Sequence, residues 1–195
     1  MTRMKKITGT IEHRGALGGV LECRTDGQTY TFEGIASSTS SPYDMGSYTE
    51  VIKPGAFAKT LASNPDVQLL IDHSGLPLAR TSNGSLTLSE TGRGLEFRAT
   101  VPISDSVAGQ IAEKVKSGLI GECSFAFKVT DQDWLADHTV REIRAVDLHR
   151  GDVSICARGA NPNTSVTARS LARRNLGRNL DYFRAKAHAL HLRAK

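Results

Sequence analysis

No apolar run in the sequence approaches the ~20 residues that span a bilayer, and the positively charged start, Met1-Thr-Arg-Met-Lys-Lys6, has no apolar stretch behind it. Neither a membrane span nor a secretory signal is expected. Cysteine is scarce: Cys23, Cys123 and Cys156 make an odd three, none in a Cys-x-x-Cys pair, as suits a reducing compartment. No His/Cys group has zinc spacing and no Gly-rich loop opens a helix, so no metal or nucleotide cofactor is expected. A Gly-x-Ser-x-Gly elbow is missing as well, which leaves an α/β-hydrolase unsupported, and there is no internal repeat.

What is present is a chain of 195 residues and 21.0 kDa with 39% hydrophobic and 23% charged residues. That suits one folded domain plus a tail, and a domain of about 150 residues buries roughly 70% of its unfolded surface without a disulfide or metal staple. The net charge of +5 is unevenly spread: residues 169–195 carry eight basic side chains against Asp181 alone, so the rest of the chain is mildly acidic. The tail is rich in Ala, Leu and Arg, and Leu176, Leu180, Phe183 and Ala187 recur at helical spacing. The division expected is 1–165 and 166–195, the second a basic helical extension. Such a helix can bind an acidic partner or nucleic acid, or simply present a solvated face.

Strand patterns dominate the body. In Gly94–Val101, Leu95, Phe97, Ala99 and Val101 alternate with polar residues, the period of a half-buried strand. With Ser85–Ser89 before it and Thr91-Gly-Arg-Gly94 as the turn, it reads as a hairpin. Further strands are expected at 7–13, 29–36, 67–73, 119–130, 140–148 and 153–157. Two helices interrupt them. One runs from Ser104 or Asp105 as N-cap to Gly118, with Val107, Ile111 and Val115 on one face and Ala108 and Ala112 beside them. The other, shorter, covers 56–62. The fold class expected is mostly β with covering helices: an antiparallel β-barrel, closed or partly open.

Three places hold side chains suited to chemistry. His73 ends the run Val67-Gln-Leu-Leu-Ile-Asp-His73 where a strand meets a loop, a position that suits a general base. The plainer reading is a histidine bonded to a backbone carbonyl. Ser124 is a hydroxyl inside the apolar strand Cys123-Ser-Phe-Ala-Phe127. Buried there, it needs a partner or costs roughly 1–3 kcal/mol, and it reads either as a nucleophile on His73 or as a serine satisfied by a carbonyl. Cys123 faces the opposite way in a regular strand and belongs with the core. Asp152 opens the strand Asp152-Val-Ser-Ile-Cys156 and can orient an imidazole, or merely cap a strand near Arg150 or Arg158.

Taken in order, these segments resemble the prohead (procapsid maturation) serine proteases of tailed phages. The resemblance is carried by Gly34-Ile-Ala36, Glu50-Val-Ile-Lys-Pro-Gly-Ala-Phe57, Leu69-Leu-Ile-Asp-His73, Pro77-Leu-Ala-Arg80, Gly94-Leu-Glu-Phe97, Val115-Lys-Ser-Gly118, Ser124-Phe-Ala-Phe127, Asp152-Val-Ser-Ile155 and Ala160-Asn-Pro162. It implies a serine endopeptidase with an assemblin-like barrel, needing no cofactor. The substrate implied is scaffold or capsid protein inside the immature capsid in the host cytoplasm, with self-processing and a dimer or higher assembly; neither membrane nor nucleic acid is an expected partner. His73 matches the family's base and Ser124 its nucleophile. Asp152 stands where the family usually has Glu, with His149 and Glu142 as competitors for the third role, and Ala126 stands where the family favours Gly. One oxyanion donor is expected from the Arg158-Gly159 backbone. The opposing reading is a noncatalytic β-barrel assembly or scaffold-like factor in which the same residues are structural.

Overall fold

The computed structural model describes residues 9–15, 21–39, 41–135 and 138–157. The expected tail helix and the boundary at 165/166 lie outside the described residues. The described chain is mostly β. It begins with β1 (Ile11–Gly15), β2 (Leu21–Thr25), β3 (Thr29–Ser38), β4 (Pro42–Asp44) and β5 (Thr49–Ile52), followed by helix α1 (Ala58–Ala62). β6 (Gln68–Ile71), β7 (Ser74–Arg80), β8 (Leu86–Thr91) and β9 (Gly94–Pro102) lead to α2 (Ser106–Lys116), and β10 (Glu122–Trp134), β11 (Val140–Asp147) and β12 (Asp152–Cys156) complete it.

The strands form two sheets. One has the order β4-β5-β11-β10-β12-β6-β7, with β1 also paired to β10; the other has the order β2-β3-β9-β8. Their apolar faces share one core, in which Phe32, Leu95 and Phe97 from the small sheet join Phe125, Phe127, Ile143 and Ile155 from the large one. The alternation in β9 sorts as its sequence requires: Leu95, Phe97, Ala99 and Val101 are buried, while Arg98 and Thr100 face solvent.

The antiparallel barrel is corrected on two points. The described strands make two sheets with free edges rather than one ring. Two pairings, β5 with β11 and β6 with β12, are parallel. Parallel neighbours need a long crossover between them, and here each pair is separated by most of the domain. This also explains why Val153, Ser154, Ile155 and Cys156 of β12 are all buried: a strand with parallel pairing inside a sheet is covered on both faces.

Local signals explain most elements and the misses. Asp105 caps α2, accepting from the backbone N–H of Val107 and Ala108 at 2.9 Å each, and Gly118 leaves the helix with φ 74°. The buried stripe is Ala108, Ile111 and Ala112, whereas Val107, expected to face inward, is exposed. A stripe at i, i+3, i+4 turns Val107 outward. Four strands escaped the pattern. β2 and the start of β7 are largely exposed, and Gly75 and Pro77 interrupt β7, which tolerates them as a sheet edge. β4 is only three residues long, and β5 hides a fully buried Glu50 among apolar neighbours.

One glycine sets the approach of β12 to its neighbours. A Cβ on Gly151 would lie 2.3 Å from the Ala126 carbonyl oxygen and 3.0 Å from that of Leu148. Only glycine lets the chain pass this close, and the next residue is Asp152.

Candidate active site

The register of the large sheet gathers the site. Ser124 of β10 lies opposite Ser154 of β12, and Asp152 is two residues from Ser154 along the same strand. Side chains two apart, and side chains directly opposite, share a face, so Ser124, Ser154 and Asp152 point to the same side. β1 adds to that face from across β10, with Gly15 opposite Ser124 and His13 opposite Ala126.

His73 reaches this face from a reversal. After β6, Asp72 and His73 both take left-handed backbone, with φ of 46° and 55°, and Ser74 then pairs back with Ile71. Positive φ at both central residues is the habit of a tight two-residue hairpin, where Asn-Gly is usual and Asp and His are tolerated. So Asp72-His73 is itself the turn. Three bonds hold it. The Asp72 N–H donates to the Ile155 carbonyl at 3.0 Å, the Ala157 N–H donates to Asp72 Oδ1 at 3.1 Å, and the His73 N–H donates to Ser154 Oγ at 2.7 Å. Ser154 was not singled out from sequence, although it carries the signal that marked Ser124, a hydroxyl inside an apolar strand.

The three expected residues come together. His73 Nε2 lies 2.7 Å from Ser124 Oγ, and His73 Nδ1 lies 2.6 Å from Asp152 Oδ1. Ser124 is buried, while the His73 and Asp152 side chains keep 17% and 13% of their surface exposed, so the chain of groups opens to solvent at the imidazole. Ser124 Oγ also donates to the Arg14 carbonyl at 2.9 Å. The plainer reading of Ser124, a serine satisfied by a carbonyl, and the functional one thus coexist, because one hydroxyl proton can turn to either acceptor.

The competitors are engaged elsewhere. His149 Nδ1 accepts from the Asp66 N–H at 3.2 Å, and Glu142 lies 3.6 Å from Lys53 Nζ. Cys123 is fully buried on the opposite face, and burial pushes its thiol pKa far upward. Burial, with the charge of Asp72 second, pushes Cys156 up to about 12. Neither forms a thiolate at neutral pH. Ala126 is buried in extended strand opposite His13 and is not among the residues of positive φ, so alanine fits there. The Arg158-Gly159 backbone, expected to supply an oxyanion donor, lies outside the described residues. Among the described residues no group of three or more His, Cys, Asp or Glu is arranged to hold a metal, and no helix is long and apolar enough to cross a membrane.

Behind the site is a buried cluster of charges that sequence reasoning did not find. Glu50, fully buried, accepts from Arg14 through both oxygens, at 2.6 and 2.9 Å, and from Arg141 Nη1 at 2.8 Å. Glu12 accepts from Arg141 at 2.7 and 2.9 Å and from Arg14 at 2.6 Å. Arg141 Nε also donates to Gln132 Oε1 at 2.7 Å. Burial works to raise the Glu12 pKa, but the hydrogen bonds and charges of Arg141 and Arg14 outweigh it, and the net direction is downward. Two carboxylates and two guanidiniums neutralise one another, and bidentate geometry makes such burial tolerable. The cluster ties β1 to β5 and β11.

A family model described as caudovirus prohead serine protease matches residues 20–176. Among solved structures, the chain is similar to the bacteriophage T4 capsid assembly protease gp21, with 12% sequence identity and a TM-score of 0.38 over 74% of this chain and 98% of that one. No curated protein matches.

Proposed function

The chain belongs to the caudovirus prohead serine protease family, and from that premise we propose that it is a serine endopeptidase in which Ser124 is the nucleophile, His73 the general base and Asp152 the group that orients His73. The observation that carries the reading is the continuous pair of contacts, Ser124 Oγ to His73 Nε2 at 2.7 Å and His73 Nδ1 to Asp152 Oδ1 at 2.6 Å. Asp152 holds the tautomer with a proton on Nδ1, which leaves Nε2 free to accept. Ser124 Oγ forms a bond to the substrate carbonyl carbon as its proton passes to Nε2. The C–N bond then breaks and the leaving amine takes that proton, giving an acyl-enzyme. Water repeats the sequence: it yields a proton to Nε2 and attacks the acyl carbon, and Ser124 Oγ departs with the proton. Asp152 stabilises the imidazolium that forms in each half.

The substrates this reading assigns are scaffold or capsid-protein segments within the procapsid, and the enzyme itself. The basic residues of 169–195 suit an acidic scaffold or capsid segment as a tether that raises local substrate concentration. The test is co-expression with the capsid and scaffold proteins. Ser124→Ala is expected to fold and to abolish both their cleavage and the phosphonate labelling of the chain. Undiminished processing by that variant would falsify Ser124 as the nucleophile, whereas a wild-type chain that never cleaves either protein leaves a noncatalytic assembly factor as the better reading.

A further inference from the structure

Strand β1 lies ahead of residues 20–176, the span matched by the family model, yet it touches the site at two points. The rings of His13 and His73 meet in a T-shaped contact with centroids 4.3 Å apart and planes at 73°. One residue further on, the Arg14 carbonyl takes a hydrogen bond from Ser124 Oγ. The strand that delivers both is pinned by the Glu12, Arg14, Glu50 and Arg141 cluster, so these contacts belong to a fixed frame.

We propose that His13 is a positioning residue for the reaction, its uncharged ring supporting the His73 imidazole so that Nε2 and Nδ1 stay aligned between Ser124 and Asp152. This rests on the serine protease reading above. The two nitrogens of His73 are each held by one hydrogen bond, and its backbone sits at the tip of a two-residue turn; the packed second ring supplies a third contact. Loss of such support matters because a misplacement of about 1 Å can cost ~100-fold in rate. Neutrality matters as well. The reaction makes His73 a cation, and a cation already at His13 would oppose it.

The charged and titratable groups acting on His13 are His73 from the turn after β6, Asp152 from β12 and Arg14 from its own strand. Burial lowers the His13 pKa most, His73 and Arg14 lower it further, and Asp152 partly restores it. His13 is therefore the uncharged member of the pair while His73 works.

Three variants of the full chain test this, read by the rate at which a fluorophosphonate labels Ser124 and by steady-state cleavage of a peptide substrate. His13→Ala is expected to lower labelling and kcat by about 10- to 100-fold with KM unchanged. His13→Phe, which keeps a flat ring that cannot ionise, is expected to recover to within about threefold of wild type. His13→Lys is expected to move the acid limb of the labelling profile to lower pH, because a fixed cation there makes His73 harder to protonate. Thermal unfolding of each variant reports whether it is folded, and the Phe variant carries the test if the Ala variant is not. Wild-type rates in folded His13→Ala, or in folded His13→Lys at every pH, overturn the proposal, as does a folded His13→Phe as slow as His13→Ala. Each of these leaves Ser124 labelled in the wild type and the protease reading intact. A wild-type chain that is never labelled at Ser124 overturns that reading and this one together.

Discussion

His73 and Ser124 were found from sequence by simple conflicts of residue type with surroundings, an ionisable ring where an apolar strand ends and a hydroxyl within an apolar run. Asp152 was found the same way, but its role was open among three candidates, because sequence order does not reveal which carboxylate or imidazole meets Nδ1. The 2.6 Å contact answers that geometrically. At this scale the informative variant is Asp152→Asn, which keeps the shape and removes the charge. It is expected to lower kcat by about 10⁴-fold, the loss seen when the same change is made in a Ser-His-Asp protease, while the thermal midpoint stays close to wild type. Peptide hydrolysis kinetics decide it, and a loss of less than tenfold removes Asp152 from the catalytic group. His13 carried no signal of this kind. It lies in a short strand of mixed polarity, and its contact with His73 exists only because β1 pairs with β10.

Elements explain why the site holds its shape. β10 is bordered by β1 along one edge and by β11 and then β12 along the other, and the site residues arrive from β10, β12 and the turn after β6. Period-2 alternation foretold β9, which has one face in the core, and strand-like runs also marked β3, β10 and β11. It could not foretell β5, whose fully buried Glu50 reads as polar, or edge strand β7. Glu50 also gives the element-scale prediction. Glu50→Gln leaves the Arg14 and Arg141 guanidiniums buried with half their negative partners gone. Breaking a buried pair in this way costs about 3–5 kcal/mol, roughly 6–20 °C in the midpoint for a domain of this size. Differential scanning calorimetry measures it. A loss below about 1 kcal/mol would show that the cluster relaxes readily and does not pin β1.

For the whole molecule the same charges set the response to acid. His13 has a lowered pKa in the fold, so as pH drops below its unfolded value of about 6.5 the unfolded chain binds a proton that the folded one refuses, and stability begins to fall. Glu12 also has a lowered pKa. Its contribution is complete above the ordinary carboxylate value and is lost as pH falls through the lower folded one. On the surface, the hydrogen bonds and charge of Arg80 hold Asp66 down to about 2, so that pair persists furthest into acid, though solvent screens it. The expected thermal midpoint therefore declines in two stages, a shallow one from about pH 6.5 and a steeper one below about 4.5. His13→Phe should remove the first and Glu12→Gln flatten the second, and a midpoint constant from pH 7 down to 4 would refute both assignments.

The sequence by itself determined the β-rich class and the two helices, the longer with its cap at Ser104 or Asp105 and its stop at Gly118, and it singled out His73 and Ser124. Each of these follows from contacts within a few residues, or from a side chain at odds with its immediate neighbours. Only the tertiary structure decided that two pairings are parallel and that Asp72-His73 is the turn. It alone brought Ser154, His13 and the Glu50 cluster to the site and separated Asp152 from His149 and Glu142. Those facts depend on which strands pair and in which register, and pairing between strands far apart in sequence is set by the packing of the whole core, which no local pattern encodes.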